Sequence, residues 1–122
     1  MQEEVIVIGA GASGMMAAVT AAGEGCKVLV LEQLSQPGKK IYATGNGKCN
    51  YTNEHQSPEC YRGEEPGFIR KALAHFSYRE TLDTFRGMGI LPQARDGYYY
   101  PVSGQAASVV DALVRRMEML GV

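Results

Sequence analysis

Two short apolar runs, each followed by a glycine-rich or polar stretch, dominate the first part of the chain. Residues 5–8 read VIVI and residues 27–31 read KVLVL, and both are rich in β-branched side chains. Such runs are typical of strands buried on both faces of a parallel sheet. Between them lies MMAAVTAA, a stretch of good helix formers that Gly23 and Gly25 should end. The pattern predicts a strand–helix–strand unit over residues 5–32.

Beyond residue 32 the pattern becomes less regular. Residues 33–65 show no sustained period and are rich in Gly, Pro, Asn, Ser and Thr, so little regular structure is expected there. Short helices are predicted over residues 67–75 and 78–88. The remaining predicted features are a turn at Asp96 and Gly97, a strand at Tyr98, Tyr99 and Tyr100 that Pro101 stops, and a helix over about residues 104–120 with Ser103 as its N-cap. Val122 is expected to begin another strand, which suggests that the chain is a piece of a larger fold.

Composition narrows the class of protein. The chain has 122 residues, is 45% hydrophobic and 20% charged, and has a net charge of -1 with a pI near 6.1, as an ordinary globular domain has. Its basic residues are scattered, so a nucleic-acid partner is not expected. No apolar run approaches the roughly 20 residues that cross a bilayer, so no membrane association is expected. Three cysteines without a CxxC pair argue against disulfides and metal sites and fit a cytoplasmic protein. Composition does not specify an oligomeric state.

The turn after the first strand reads GAGASG over residues 9–14, which matches G-x-G-x-x-G in the context expected of a dinucleotide-binding unit. Gly9 would permit the tight turn, Gly11 would let a pyrophosphate approach the backbone, and Gly14 would let the helix pack close to the strand. The N–H groups of the first helical turn, where Ala12 and Ser13 lie, would then hold the phosphates.

Glu32 closes the second strand 18 positions after Gly14, close to the spacing of about 20 at which an acidic residue binds ribose hydroxyls. Its charge would also repel a 2′-phosphate, so FAD or NAD is expected rather than NADP. The alternative is an ordinary βα turn followed by a solvated glutamate. The strand–helix–strand unit by itself does not decide between FAD and NAD.

Residues 43–53, ATGNGKCNYTN, form a polar loop broken by glycines. Gly45 and Gly47 can adopt positive φ and expose N–H groups to a ligand, and the loop's three asparagines carry amides that suit the edge of a flavin. Lys48 could stabilise an anionic reduced flavin or a substrate oxygen. From composition alone, a turn whose side chains cap their own backbone is the preferred interpretation.

Cys49 is the one thiol in this loop. A neighbouring lysine could lower the pKa of a thiol and make it reactive. A lone cysteine is more often a small buried hydrophobic residue, however, and no second cysteine is near enough in sequence for a dithiol mechanism. Packing is therefore the preferred interpretation of Cys49.

Two stretches carry a resemblance to known flavoproteins. From Glu32, EQLSQPGKK resembles a segment of glutathione-reductase-type and amine-oxidase-type flavoproteins, in which the residue equivalent to Lys40 commonly contacts the dinucleotide. Residues 38–53, GKKIYATGNGKCNYTN, more closely resemble the signature of bacterial BaiN-like or aminoacetone-oxidase-like flavoproteins, G-[RK]-K-hydrophobic and then [ST]-G-[GN]-G-[RK]-C-N-hydrophobic-T-N. Residues 97–103, GYYYPVS, resemble the family's G-R-x-[FY]-P-x-S run, with Tyr98 in place of the basic residue.

This resemblance implies an α/β fold, namely part of a Rossmann-like, glutathione-reductase-type FAD-binding domain at the N-terminal end of a larger protein. Residues 1–122 would comprise the βαβ unit 5–32, a flavin-contacting loop 38–53, a helical segment 67–88 and a strand and helix over 98–120. The implied cofactor-binding residues are Gly9, Gly11, Ala12, Ser13, Gly14, Glu32, Gln33, Lys40, Thr44, Gly45, Asn46, Gly47, Cys49 and Asn50. Lys48 and Cys49 are the candidate catalytic residues.

The resemblance also implies a reaction. FAD would pass a hydride through flavin N5 to or from a small organic substrate, with NAD(P)H as a possible electron donor of the whole enzyme. Two alternatives stay open: reduction of an RNA base, and an inactive, truncated nucleotide-binding module. The 122 residues alone are expected to bind FAD weakly and to turn over no substrate.

Overall fold

A parallel strand–helix–strand unit opens the fold. The computed structural model describes residues 4–122. The unit consists of strand β1 (Glu4–Ile8), helix α1 (Ala12–Gly23) and strand β2 (Lys27–Leu31). Val5 lies opposite Val28 and Val7 opposite Val30 in the parallel register. The predicted elements are therefore present, and both strands end at the same edge of the sheet.

Described residues cover only one face of this two-stranded sheet. Val28 is buried, but Ile6 and Ile8 on the opposite face are 61% and 78% exposed, and Leu29 and Leu31 are about half exposed. The prediction that both strands are buried on both faces is therefore wrong for this chain. Full burial requires a layer on each face, and α1 supplies just one of them within residues 4–122.

The middle of the chain forms short helices and a small antiparallel sheet. Its elements are α2 (Lys39–Ala43), a 3-10 turn (Thr44–Gly47), β3 (Thr52–Asn53), a second 3-10 turn (Pro58–Cys60), α3 (Pro66–His75), α4 (Tyr78–Gly87), β4 (Pro92–Arg95) and β5 (Tyr98–Pro101). β5 is the central strand, with β3 and β4 antiparallel to it on either side. The two predicted helices and the tyrosine strand are confirmed. The pattern did not reveal α2, β3 or β4 because their sequences, KKIYA, TN and PQAR, contain no periodic run of apolar residues.

The last helix, α5 (Ala106–Met119), begins two residues later than predicted. Gln105 occupies the N-cap position, so the prediction of Ser103 as the cap is wrong. Ser103 Oγ instead accepts a hydrogen bond from the Gln105 N–H at 3.2 Å, because Gly104 turns the chain with φ +65° before the helix starts. The Val122 N–H donates to the Met117 carbonyl, and a strand that begins at this last residue stays a prediction.

The predicted turn at Asp96 and Gly97 is confirmed. Both residues have positive φ, 50° and 81°, and they join β4 to β5. Two consecutive positive φ values match the right-handed twist of paired strands, which is why an Asp-Gly pair favours this hairpin.

The core lies between α1 and α5, and it also positions the polar loop. Met15 of α1 and Leu113 of α5 are almost completely buried. Gly38, just before α2, donates its N–H to the Ala10 carbonyl at 2.7 Å. A Cβ at Gly38 would lie 2.9 Å from Val110 Cγ2, so only glycine allows α2 to lie this close to α5. This contact brings the segment after residue 38 against the glycine turn.

Candidate dinucleotide-binding site

The first turn of α1 presents backbone donors that have no partner within the described chain. The Met15 N–H bonds to the Gly11 carbonyl and begins the helical ladder. The N–H groups of Ala12, Ser13 and Gly14 precede that bond and meet no acceptor among residues 4–122. Unpaired N–H groups and the positive end of the helix dipole together favour a phosphate at this position.

Each glycine of the turn has a distinct steric role. Gly9 has φ +93°, which glycine adopts without strain. A Cβ at Gly14 would lie 1.9 Å from the Gly9 carbonyl oxygen, so the helix packs directly on the end of β1. A Cβ at Gly11 would meet nothing within 4 Å, so the space beside this exposed residue is open. These three environments match the turn, packing and pyrophosphate roles that the motif predicts.

Glu32 lies against the same turn and is held by backbone donors. Its Oε2 accepts a hydrogen bond from the Ala10 N–H at 2.7 Å, and its Oε1 accepts one from the Leu34 N–H at 2.8 Å. The Leu34 bond, followed by the Ala10 bond, lowers the pKa of the Glu32 carboxyl. The carboxylate is therefore ionised at neutral pH, and its remaining lone pairs can accept ribose hydroxyls. The sequence did not reveal that Glu32 also orders the glycine turn.

The loop after α2 has an unusual backbone. Gly45, Asn46, Gly47 and Cys49 all have φ between 54° and 81°. Non-glycine residues adopt this left-handed region at a cost of about 1 kcal/mol each, so surrounding contacts must hold the loop in place. One such contact is the hydrogen bond from the Cys49 N–H to the Thr44 carbonyl at 3.1 Å.

A cavity of about 360 Å³ lies between the glycine turn and this loop. Its lining residues are mostly apolar: Ala12, Ser13, Met16, Ile41, Thr44, Cys49, Asn50, Tyr51, Phe76, Thr81, Phe85, Val109 and Leu113. The volume and apolar character are those of a site for a small molecule or for part of a cofactor. The structure thus brings Ala12 and Ser13 of the turn to the same cavity as Thr44, Cys49 and Asn50 of the loop.

Tyr51, which sequence reasoning did not single out, adds a polar group to this cavity wall. Its ring packs on Phe85 with centroids 5.0 Å apart, and its hydroxyl is buried without a hydrogen-bond partner among the described residues. Burial raises the pKa of the Tyr51 phenol, so it stays protonated at neutral pH. A buried, unpaired hydroxyl is costly, and a bound ligand with a polar atom would satisfy it.

Two of the three loop asparagines bond to the protein itself. Oriented so that its donors meet acceptors, the Asn50 amide donates to the carbonyls of Thr52 at 2.7 Å and Tyr99 at 3.2 Å. Asn53 Oδ1 accepts the His55 N–H at 2.8 Å, which is the local capping expected of an ordinary turn. Asn50 Oδ1 and the exposed Asn46 side chain are left for a ligand.

Cys49 is a packing residue in this geometry. It is 6% exposed and lines the apolar cavity. Burial raises the pKa of its thiol, an effect that a hydrogen bond with Thr44 only partly offsets. A thiol that stays protonated at neutral pH is a poor nucleophile, which argues against a catalytic thiolate.

Alkylation at neutral pH tests this interpretation of Cys49. We expect iodoacetamide to modify Cys49 about tenfold more slowly than the exposed Cys60, because the thiolate is disfavoured and shielded. Peptide mass mapping over time measures both rates in the same sample. Equal rates at the two cysteines would contradict the packing role.

Two further predicted cofactor residues, Gln33 and Lys40, make no side-chain contact that defines a role. Gln33 follows Glu32 on the surface, and Lys40 is exposed on α2. Lys48 does not line the apolar cavity. Their cofactor roles, and a catalytic role of Lys48, therefore stay predictions. Within residues 4–122, no cluster of His, Cys, Asp and Glu could hold a metal ion, and no helix is long and apolar enough to cross a bilayer.

The site combines a parallel βαβ unit, N–H groups of the first α1 turn that meet no acceptor among residues 4–122, and an ionised glutamate. These features together define a Rossmann-type dinucleotide-binding domain. Residues 3–122 match the family model described as the HI0933-like protein Rossmann domain. The chain therefore belongs to the HI0933-like family, and the predicted resemblance to flavoproteins is confirmed.

Individual relatives agree with this assignment. The chain is 51% identical over 109 residues to a 3-dehydro-bile acid delta(4,6)-reductase of Clostridium scindens, an alignment that covers 88% of this chain and 27% of the relative. It is 34% identical over 115 residues to a ribosomal RNA dihydrouridine synthase of Escherichia coli, covering 94% of this chain and 29% of that protein. The chain thus spans less than a third of either curated relative.

A solved structure supports the fold alone. The crystal structure of Thermovibrio ammonificans THI4 superposes with a TM-score of 0.56 at 18% sequence identity, covering 98% of this chain and 36% of that one. The Rossmann-type α/β fold is therefore shown by both the family model and a structural neighbour.

Proposed function

We propose that this chain forms the FAD-binding portion of a flavin-dependent reductase that acts on an activated C=C bond of a small organic substrate. The proposal rests on one observation: the first turn of α1 has N–H groups that meet no acceptor among residues 4–122, and it lies beside an apolar cavity. Membership of a flavoprotein oxidoreductase family supports FAD as the dinucleotide.

Different residues of the described chain suit different parts of FAD. The N–H groups of Ala12, Ser13 and Gly14 would bind the pyrophosphate, and the open space at Gly11 would admit it. Glu32 would accept hydrogen bonds from the ribose of the adenosine half. The apolar cavity would exclude water beside the cofactor. A bound flavin supplies hydride transfer through N5.

Two relatives whose names give different activities suggest two substrate classes. The relative at 51% identity is named for reduction of a bile acid, and we propose a comparable small, conjugated substrate for this chain. One carbon of the C=C bond would accept a hydride and the other a proton. We propose NAD(P)H as the donor that restores the reduced cofactor in the whole protein.

Reduction of an RNA base is the second candidate function. The relative at 34% identity is named as a ribosomal RNA dihydrouridine synthase, and its alignment covers 94% of this chain. The net charge of -1 and the scattered basic residues favour the small substrate, because binding to an RNA backbone depends on clustered Lys and Arg.

Reconstitution of the purified chain with FAD tests the cofactor. We expect a retained yellow chromophore absorbing at about 450 nm and a dissociation constant in the micromolar range, on the order of −8 kcal/mol in binding free energy. ADP, which carries only the adenosine and pyrophosphate parts, should compete with FAD. Failure to retain FAD at any concentration, with ADP also unbound, would overturn the assignment.

A whole protein that contains this chain distinguishes the substrates, because the 122 residues alone are expected to turn over none. This protein, loaded with reduced FAD, is mixed, without oxygen, with a conjugated steroid ketone or with a ribosomal RNA fragment, and reoxidation of the flavin is followed by absorbance. Reoxidation by the ketone alone supports the proposed function, whereas reoxidation by RNA alone supports the second candidate. Reaction with neither favours the remaining alternative, a nucleotide-binding module without turnover.

A further inference from the structure

A second cavity, of about 270 Å³, lies on the other side of the same loop. It separates the 3-10 turn at residues 44–47 from the β4–β5 hairpin. The side chains lining it are Asn46, Lys48, Gln93, Arg95 and Tyr100. None of these residues lines the apolar cavity beside the glycine turn, so the loop separates two distinct sites.

The charge of this second cavity is unbalanced. Lys48 and Arg95 contribute two positive charges, and no carboxylate is among the lining residues. Neither cation has an ion pair or a side-chain hydrogen bond with any residue from 4 to 122, whereas Lys27 pairs with Glu4 and Arg86 with Asp83. The chain has a net charge of -1, but this concave site is positive, and it therefore favours an anionic ligand.

The two cations are attached to well-packed backbone on different elements. Lys48 directly follows the 3-10 turn at residues 44–47, which lies against the hairpin, since a Cβ at Gly45 would be 3.3 Å from Tyr100 Cε1. Arg95 lies on β4 in register with Tyr98, and Gln93 pairs with Tyr100 on the same hairpin. The cavity is thus formed by packing between the turn and the sheet, and a ligand would contact both.

We propose that this cavity binds the oxyanion group of a small molecule, a carboxylate or a phosphate. An arginine can bind either group through two parallel N–H bonds, and a lysine adds a compact charge. The amides of Asn46 and Gln93 and the Tyr100 hydroxyl supply neutral donors around them. The volume suits an oxyanion with a few attached carbons. The proposal goes beyond the proposed function and does not depend on it, because no flavin is required.

Titration of the chain followed by amide NMR spectra tests this site. Benzoate, the neutral isostere benzamide and inorganic phosphate are added separately at constant ionic strength. We expect saturable shifts of the amides near Lys48 and Arg95 with benzoate, with phosphate or with both, and none with benzamide. Saturation with benzoate alone identifies a carboxylate site, and saturation with phosphate alone identifies a phosphate site.

Substitutions then assign the binding to the two cations. Lys48→Gln and Arg95→Gln should each weaken binding by about fivefold, and the double variant should abolish it. Lys71→Gln, at an exposed position on α3, is the matched control and should change nothing. Both target side chains are exposed, so the variants should keep the amide spectrum of the folded chain away from the cavity.

Phosphate provides an internal control, because it should also shift the amides of residues 12–14 at the start of α1. Those shifts should persist in the double variant. Shifts that rise linearly without saturation, an equal response to benzamide, or a double variant that binds within about twofold of the wild type would each overturn the proposal. Loss of FAD binding would leave these readouts unchanged, so the two proposals fail separately.

Discussion

Gly14→Ala is expected to lower the free energy of unfolding by on the order of 3 kcal/mol, a large share of the stability of a small domain. The added Cβ would lie 1.9 Å from the Gly9 carbonyl oxygen and 3.3 Å from Val7 Cγ1. The obstructing oxygen belongs to the backbone, so the clash is relieved only if α1 moves away from β1. Urea denaturation followed by far-UV circular dichroism measures the change.

Gly11→Ala is the matched control, and it should separate binding from folding. No atom lies within 4 Å of a Cβ at Gly11, and its φ of -81° suits alanine. The free energy of unfolding should therefore change by less than about 1 kcal/mol. The affinity for FAD should fall about a hundredfold, because the methyl group occupies the path of the pyrophosphate.

The pair of variants has two outcomes that would count against the site. Wild-type affinity for FAD in Gly11→Ala would mean that the pyrophosphate does not approach this residue. Wild-type stability in Gly14→Ala would mean that the close approach of α1 to the end of β1 does not matter for folding. A far-UV spectrum of Gly11→Ala identical to that of the wild type is needed before its affinity is interpreted.

Glu32→Gln is expected to act both on ligand binding and on folding. The substituted amide can still accept one backbone hydrogen bond, but its NH₂ group faces a backbone N–H where a carboxylate oxygen accepted before. It also loses the charge that favours the ribose hydroxyls. Affinity for ADP should fall about tenfold, measured by calorimetry.

A matched ligand isolates the contact with the ribose. The wild type should bind 2′-deoxy-ADP more weakly than ADP, whereas Glu32→Gln should discriminate less between the two. If the variant retains the full discrimination, Glu32 does not contact the 2′-hydroxyl. Its stability must be measured in parallel, since the loss of the bond to Ala10 alone would loosen the glycine turn.

The pH dependence of stability provides a separate readout of the same residue. The N–H groups of Leu34 and Ala10 lower the pKa of Glu32 in the folded chain. The stabilisation is therefore present above the pKa of the carboxyl in the unfolded chain and is lost as the pH falls through the lower folded-state value. As the pH falls into the acid range, the free energy of unfolding of Glu32→Gln should decrease less steeply than that of the wild type.

The features of this protein that could be predicted from the sequence are those that depend on residues close together in the chain. The strand–helix–strand unit follows from apolar runs, helix formers and glycine stops within residues 5–32. The motif at residues 9–14 and the position of Glu32 could be read because the geometry of this turn depends on local spacing. The hairpin at Asp96 and Gly97 was predictable for the same reason, since both positive φ values are properties of those two residues.

The tertiary structure decided what distant residues do together. The pairing of the short strands β3 and β4 with β5 and the exposed face at Ile6 and Ile8 depend on packing partners that periodicity does not specify. Cys49 is buried in the same core as residues of α1, α4 and α5, which are distant from it in the sequence.

By itself, then, the sequence determined the βαβ unit, the glycine turn and the acidic residue beside it. Only the tertiary structure decided that Glu32 accepts a hydrogen bond from Ala10, that an apolar cavity lies between the turn and the loop, and that Lys48 and Arg95 line one cavity. The physical reason is that these features arise from packing between elements far apart in the chain, whereas hydrogen-bonded turns and periodic strands arise from contacts between near neighbours.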